Sequence, residues 1–477
     1  MDLPPPGIEE THISVLFLLG DRVYKLKKPV DFPFLDWRRR EDRERACHLE
    51  VELNRRLSPD VYLGVVDLEQ DGQPCDHLVA MRRMPDDRRL RTLVQRGEDV
   101  RPGLDALADR LTAFHRSAGR SAETARWADR DSVRTNWRDN VAVLEAHAGV
   151  LVDGAVVARV AALADRYLAG REPLFEARAA AGLHVDGHGD LLADDIYLLD
   201  DGPRVLDCLE FSPQLRAVDV LDDVAFLAMD LEHLGAPELA EHLVAAYAAR
   251  CGTPCPPSLL DHYVAYRAGV RAKVACLRAD QGGAADAPSY LDLAVRHLEA
   301  GQVRLVLVGG LPGTGKSTLA AGVAEARGWS VVRSDVVRKE LAGIDPSTHA
   351  TAAFREGLYG EEHSSATYRA LLDRAGRDLA LGTSVVLDAT WLDPHWRAEA
   401  ARVASSTSSE LVALRCTAPP ALAAERLGHR TPGEPSDATP AIAAAMARGT
   451  VPWPEAVVVS TDGPVAASLA MALDACC

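Results

Sequence analysis

The chain has 477 residues, too many for one hydrophobic core and enough for two to four domains at roughly 100–200 residues each. Hydrophobic residues make up 47% and charged residues 26%, which excludes wholesale disorder and the collagen-like and coiled-coil classes. A net charge of −17 sets the whole surface against long polyanions and anionic membranes while leaving room for a local basic pocket around a small phosphorylated ligand.

The opening Met1-Asp2-Leu3-Pro4-Pro5-Pro6 lacks the basic-then-apolar layout of a signal peptide, and no stretch approaches the ~20 apolar residues of a membrane span. A cytoplasmic location is therefore expected, with neither a membrane nor a nucleic acid as partner. Ile13 to Leu19, a Gly20-Asp21 turn and Arg22 to Lys28 predict a β-hairpin. Charged helix follows from Arg38 to Leu57, and alanine-rich helix from about Leu104 to Glu176. Leu198 to Leu209 predicts a second hairpin around Asp200-Asp201-Gly202, and Tyr263 to Ala279 another helix. A small-residue break at Gln281–Pro288 and a short helix, Tyr290 to Ala300, precede an abrupt switch to strand at Gln302. From Leu305 onward strands alternate with helices, the pattern of a parallel sheet with crossovers. These signals divide the chain into a domain over 1–300, with a β-rich small lobe to about 85 and a helical lobe from about 86, and an α/β domain over 301–477.

Nine cysteines are scattered along the chain. Cys251-x-x-x-Cys255 has no second Cys/His pair nearby to complete a tetrahedral metal site, so all are read as reduced thiols.

In the second domain, Gly310-Leu311-Pro312-Gly313-Thr314-Gly315-Lys316-Ser317 follows an apolar strand and opens a helix that begins at Thr318. Successive backbone N–H groups at Gly310, Gly313, Thr314, Gly315 and the helix start wrap phosphates, Lys316 neutralises the β/γ oxygens and Ser317 ligates Mg²⁺. Asp335 and Arg338 then share one face of a first helical turn after the second strand. Asp335 is placed to accept a proton from an attacking hydroxyl and Arg338 to hold an acceptor anion. Ser384-Val385-Val386-Leu387-Asp388 is an apolar strand ending in a candidate Mg²⁺ carboxylate. Arg426 and Arg430 precede the loop Thr431–Ala438, where arginines on a closing lid stabilise a transferring phosphoryl group. Together these residues resemble the small P-loop kinases of metabolites and polynucleotide ends: gluconate kinase, the 5′-kinase lobe of polynucleotide kinase and the zeta-toxin kinases. The resemblance implies a kinase and leaves the acceptor open.

In the first domain, His188-Gly189-Asp190-Leu191-Leu192-Ala193-Asp194-Asp195 precedes the second hairpin and Val205-Leu206-Asp207. A loop aspartate can orient and deprotonate a hydroxyl while two later side chains converge on Mg²⁺. This order resembles the aminoglycoside phosphotransferase branch of the protein-kinase-like fold, which implies Asp190 as base and Asp195 and Asp207 as metal ligands. Position 195 is Asp where that pattern has Asn. The small lobe of such a fold supplies a lysine for the nucleotide phosphates and a helix glutamate. Lys25 and Lys27 share a strand face and spacing does not separate them; Glu50 is the first candidate glutamate and Glu52 the second. Val79–Pro85 resembles the hinge that contacts adenine, and no glycine-rich lid accompanies Gly20. Arg267, Arg271 and Arg278 fall within about 40° on a helical wheel, facing either an anionic ligand or acidic neighbours.

The whole chain resembles bacterial two-domain proteins that join an aminoglycoside-phosphotransferase-like domain to a P-loop kinase domain; Glu10–Ser14 and Asp207–Phe211 are family-like segments. The resemblance implies an ATP- and Mg²⁺-dependent phosphotransferase acting on a hydroxyl of a small molecule such as a sugar, amino sugar or aminoglycoside. The alternatives are a P-loop kinase regulated by an N-terminal pseudokinase sensor, a polynucleotide 5′-end kinase, or a zeta-like nucleotide-sugar kinase.

Overall fold

A computed structural model describes residues 5–11, 13–32, 35–280, 282–283, 286–345, 360–429, 436 and 438–476. The chain forms two compact units, one of residues 1–164 and 175–299, the other of 165–174 and 300–477.

The first unit begins with a five-stranded antiparallel sheet in the order Gly7–Glu10, Ser14–Leu19, Arg22–Lys27, Gln73–Arg82, Tyr62–Gln70. The expected first hairpin is present, with Leu19 paired to Arg22 across the Gly20-Asp21 turn. Tyr62–Gln70 is a strand that the sequence does not announce: it turns mostly exposed residues outward after Tyr62, so it lacks the alternation that marks a half-buried strand. Helix Arg40–Arg55 lies against the sheet through buried Cys47, Glu50 and Val51. The expected long helical stretch is five separate helices between Arg101 and Ala180, and the second hairpin is Ile196–Leu199 with Gly202–Val205.

Helix Val220–His233 runs through the centre of the helical part and is buried without a break from Val220 to Leu231. It packs against Pro237–Cys251 and Pro257–Ala279. A helix apolar on nearly all sides belongs inside; the charged groups it carries, Asp222, Asp223 and Asp230, are therefore those that must find partners.

The second unit is a five-stranded parallel sheet in the order Ser330–Arg333, Val385–Asp388, Arg304–Gly309, Glu410–Thr417, Val457–Ser460. The central strand is buried at every position, as expected for a parallel strand covered on both faces. Val306, Val308, Val386 and Leu414 pack with Leu319, Ala320 and Val323 of helix Lys316–Arg327. In such a sheet ligands bind beyond the carboxyl ends of the strands, where Gly310–Ser317 and Asp388 lie. Among the described residues no helix is long and apolar enough to cross a membrane.

Candidate active sites

In the first unit, strand Arg22–Lys27 points both candidate lysines at one helix carboxylate. Lys25 Nζ lies 2.9 Å from Glu50 Oε1 and 2.6 Å from Asp207 Oδ1, while Lys27 Nζ lies 2.6 Å from Glu50 Oε2 and 2.5 Å from Glu210 Oε1. Glu50 is fully buried and Glu52 faces solvent, so the helix glutamate is Glu50. Burial pushes the Asp207 carboxyl up, but the Lys25 ammonium beside it prevails and holds it below the usual range. Asp207 has a φ of 61°, its N–H donates to the Tyr62 hydroxyl at 3.1 Å, and its side chain remains 48% exposed. It stands at the open edge of the buried charge cluster.

The loop His188–Asp195 is held from behind by the central helix. Asp223 accepts the N–H groups of His188 at 2.8 Å and Gly189 at 2.9 Å, and Asp230 accepts that of Ala193 at 2.8 Å. His115 Nε2 lies 3.1 Å from Asp223, and its Nδ1 is 2.8 Å from the Tyr247 hydroxyl. A Cβ at Gly187 would lie 2.5 Å from Val218 and 2.7 Å from Asp223, so only glycine lets the loop approach this closely. His188 is sealed in, and burial pushes its ring down to about 4; it is a neutral support, with Nε2 3.0 Å from the Leu206 carbonyl.

Burial, opposed by Arg271 and reinforced by Asp207, pushes the Asp190 carboxyl up to about 6, near the value a general base needs. Burial and then the charges of Asp207 and Asp190 raise the Asp195 carboxyl well above its usual range. Asp190, Asp195 and Asp207 thus share one electrostatic site. Two carboxylates among them match the donor set of an Mg²⁺ that arrives with nucleotide phosphates.

The arginine stripe divides. Arg267 is buried against Asp222 and a loop carbonyl, Arg271 interacts with Asp190 and Tyr290, and Arg278 is exposed. Its acidic neighbours are within the same unit.

In the second unit, Gly310, Gly313 and Gly315 take φ values of 135°, 81° and 78°. The Lys316 ammonium donates to the Leu311 carbonyl at 3.0 Å, closing over its own loop. The helix begins at Lys316, two residues before the expected Thr318, so Ser317 and Thr318 lie in its first turn. Asp388 is buried at its strand end with Arg333 Nε 3.3 Å away. Burial, with Asp388 nearby, raises the Asp335 carboxyl, and Arg338 and Lys316 act on it in the opposite sense. Asp335, Arg338, Lys316 and Asp388 therefore lie within electrostatic reach of one another, and Arg338 also donates to Ser364 Oγ at 3.3 Å. By donor chemistry the Ser317 hydroxyl and the Asp388 carboxylate would suit a magnesium ion.

Arg426 is placed differently from the lid role read in the sequence. Its guanidinium donates to the Thr461 carbonyl at 2.6 Å and hydroxyl at 3.2 Å, and Thr461 in turn donates to the Thr314 carbonyl at 2.9 Å. It buttresses the phosphate loop. Arg430 and most of the loop after it lie outside the described residues; Ser436, which is described, hydrogen-bonds Asp335. Sequence reasoning also passed over Glu210, Asp223, Arg333 and Thr461. Only Glu210 carried a signal, inside Asp207–Phe211; the others act through contacts distant in sequence.

Against known proteins, residues 305–452 match the AAA domain family (AAA_33). Over 467 residues the chain is 45% identical to the uncharacterized protein Rv2004c of Mycobacterium tuberculosis, spanning 97% of this chain and 94% of the relative. Among solved structures, a gluconokinase from Sinorhizobium meliloti is similar over 36% of this chain and 91% of its own, at 19% identity and a TM-score of 0.27. A thermostable mutant of an aminoglycoside phosphotransferase is similar over 62% of this chain and 94% of its own, at 15% identity and a TM-score of 0.37.

Proposed function

The chain belongs to one family with the mycobacterial relative, and we propose that it is a cytoplasmic phosphotransferase, a protein-kinase-like domain joined to a P-loop domain, that moves the γ-phosphoryl group of ATP to a hydroxyl of a small molecule. The observation that carries this reading is Asp190. It sits on a loop fixed by Asp223 and Asp230, its carboxyl is pushed up to about 6, and it shares its site with Asp195 and Asp207.

In this mechanism Asp190 orients the acceptor hydroxyl and takes its proton as the oxygen attacks. Lys25, paired with Glu50, would turn from Asp207 to the nucleotide phosphates, and Asp207 and Asp195 would hold Mg²⁺. The metal supplies charge neutralisation on the phosphate oxygens. In the second unit the loop Gly310–Ser317 would cradle phosphates, Asp388 and Ser317 would hold Mg²⁺, and Asp335 and Arg338 would receive an acceptor. Sugars, amino sugars, aminoglycosides and nucleosides fit the acceptor description.

The second reading is a regulatory N-terminal domain without turnover. Asp at position 195, and Lys25 bonded to Asp207 at 2.6 Å, support it. Turnover of ATP to ADP with a panel of those acceptors, in wild type, Lys316→Ala and Asp190→Ala proteins, separates the two. Loss with Lys316→Ala alone locates the chemistry in the second unit and supports regulation. Loss with Asp190→Ala alone makes the first unit the enzyme.

A further inference from the structure

Strand Arg22–Lys27 carries two lysines on one face, and their surroundings differ in a way that divides the work between them. Lys25 is buried at 8% exposure but borders the rim: its second partner, Asp207, is 48% exposed, so an incoming phosphate can compete for its ammonium. Lys27 is 1% exposed. Its Nζ is closed in by Glu50 at 2.6 Å, Glu210 at 2.5 Å and the Trp37 ring, whose centroid is 4.3 Å away. Desolvated this fully and bonded to two carboxylates, Lys27 has no path to a nucleotide.

Glu210 stands three residues after Asp207. The intervening backbone is tied down by Asp207 N–H to the Tyr62 hydroxyl at 3.1 Å, Cys208 N–H to Asn54 Oδ1 at 2.9 Å and Leu209 N–H to the His188 carbonyl at 3.1 Å. The Lys27–Glu210 pair joins this segment to the strand bearing Lys25, beside the more exposed Lys25–Asp207 pair. Two ammonium groups here face three carboxylates, those of Glu50, Glu210 and Asp207. With Lys25 turned from Asp207 to a phosphate, Lys27 is the ammonium that stays bonded to both Glu50 and Glu210.

We propose that Lys27 is a positioning residue, which holds Glu50 and, through Glu210, the Asp207 segment in place so that Lys25 is free to bind phosphate and Asp207 to bind Mg²⁺. The assignment deepens the phosphotransferase reading of the first unit and rests on it for its kinetic consequences. Lys25 touches the nucleotide; Lys27 acts through its two glutamates.

The test uses full-length protein carrying Lys316→Ala, so that turnover reports the first unit, with Lys25→Met, Lys27→Met and Glu210→Gln added singly. Glu210→Gln keeps the shape and removes the charge, and so serves where Lys27→Met fails to fold. The expected result for Lys27→Met and Glu210→Gln is a fall in kcat and a rise in the Mg²⁺ concentration for half-maximal rate, each of about 10-fold or more, with the KM for ATP unchanged. For Lys25→Met the KM for ATP rises instead. A rise in the KM for ATP with Lys27→Met equal to that with Lys25→Met overturns the division, as do folded Lys27→Met and Glu210→Gln proteins with wild-type Mg²⁺ dependence. Hydrogen exchange without nucleotide reads the positioning role independently of turnover. Glu210→Gln is expected to speed exchange at the Asp207–Leu209 amides by about 10-fold; unchanged protection there refutes that role. Faster exchange in a protein that turns over no acceptor would instead retain the positioning and overturn the phosphotransferase reading.

Discussion

Arg267 and Asp222 form a buried two-bond pair, Nε to Oδ1 at 2.7 Å and the second nitrogen to Oδ2 at 2.8 Å, and the same guanidinium donates to the Gly189 carbonyl at 3.2 Å. One arginine thus neutralises a carboxylate on the central helix and fixes the residue before Asp190. Its remaining face lies over the Phe226 ring, 4.7 Å from the centroid.

Arg267→Met is expected to leave Asp222 buried and unpaired, at a cost on the order of 3–5 kcal/mol. Arg267→Lys restores the charge but not the fork, so it should recover stability in part while turnover at the first site stays low. Chemical denaturation alongside acceptor turnover checks both. A turnover that recovers in step with stability would show that Arg267 serves the fold alone.

The Asp190 carboxyl, pushed up to about 6 by burial, accepts a proton only when ionised. The kcat/KM of the first site is therefore expected to fall as pH drops through about 6 and to level off above about 7. Asp190→Asn should lower turnover by about 100-fold or more and remove that limb. A pH–rate profile in the Lys316→Ala protein measures it.

Gly313→Ala meets two obstacles: a φ of +81°, and an Ala423 carbonyl oxygen 2.5 Å from the added Cβ. Gly328, with a φ of +66° and nothing within 4 Å, is the control. Gly313→Ala is expected to weaken nucleotide binding at the second site by about 10-fold or more, while Gly328→Ala costs about 1 kcal/mol of stability and leaves binding intact. Calorimetric titration with ATP and Mg²⁺ in a Lys25→Met background compares the two.

His297 bonds Asp261 at 2.8 Å and Glu232 at 3.0 Å. Burial alone would lower its ring, but the two carboxylates prevail and raise it to about 9 from 6.5. A raised histidine gives its full stabilisation below the unfolded value and loses it as pH climbs through the folded one. The thermal midpoint of the first unit is expected to fall between about pH 6.5 and pH 9, by a contribution on the order of 2 kcal/mol. His297→Gln should flatten that window.

How far the sequence discloses this molecule depends on whether a residue acts through neighbours or across the chain. The phosphate loop is legible because its glycines, lysine and serine are contiguous and bracketed by a strand and a helix. Asp190, Asp195 and Asp207 are legible because a hairpin spaces them. Lys25 and Lys27 are indistinguishable in sequence, since alternation puts both on one face; only the placement of Asp207 and Glu210 separates them. Arg426 reads as a lid residue by its spacing to Arg430, whereas its partner Thr461 belongs to the end of another strand, 35 residues on. Asp223 reads as one more acid in a helix, and only the close passage of Gly187 shows what it holds.

The Thr461 hydroxyl reaches the Thr314 carbonyl across 147 residues of chain, and this sets an order of events during synthesis. The phosphate loop leaves the ribosome long before its support does. Until strand Val457–Ser460 joins the sheet edge, the loop lacks both Thr461 and the Arg426 contact that Thr461 receives. A nascent chain carrying Gly310–Ser317 therefore holds that loop without its Thr461 buttress until strand Val457–Ser460 is in register.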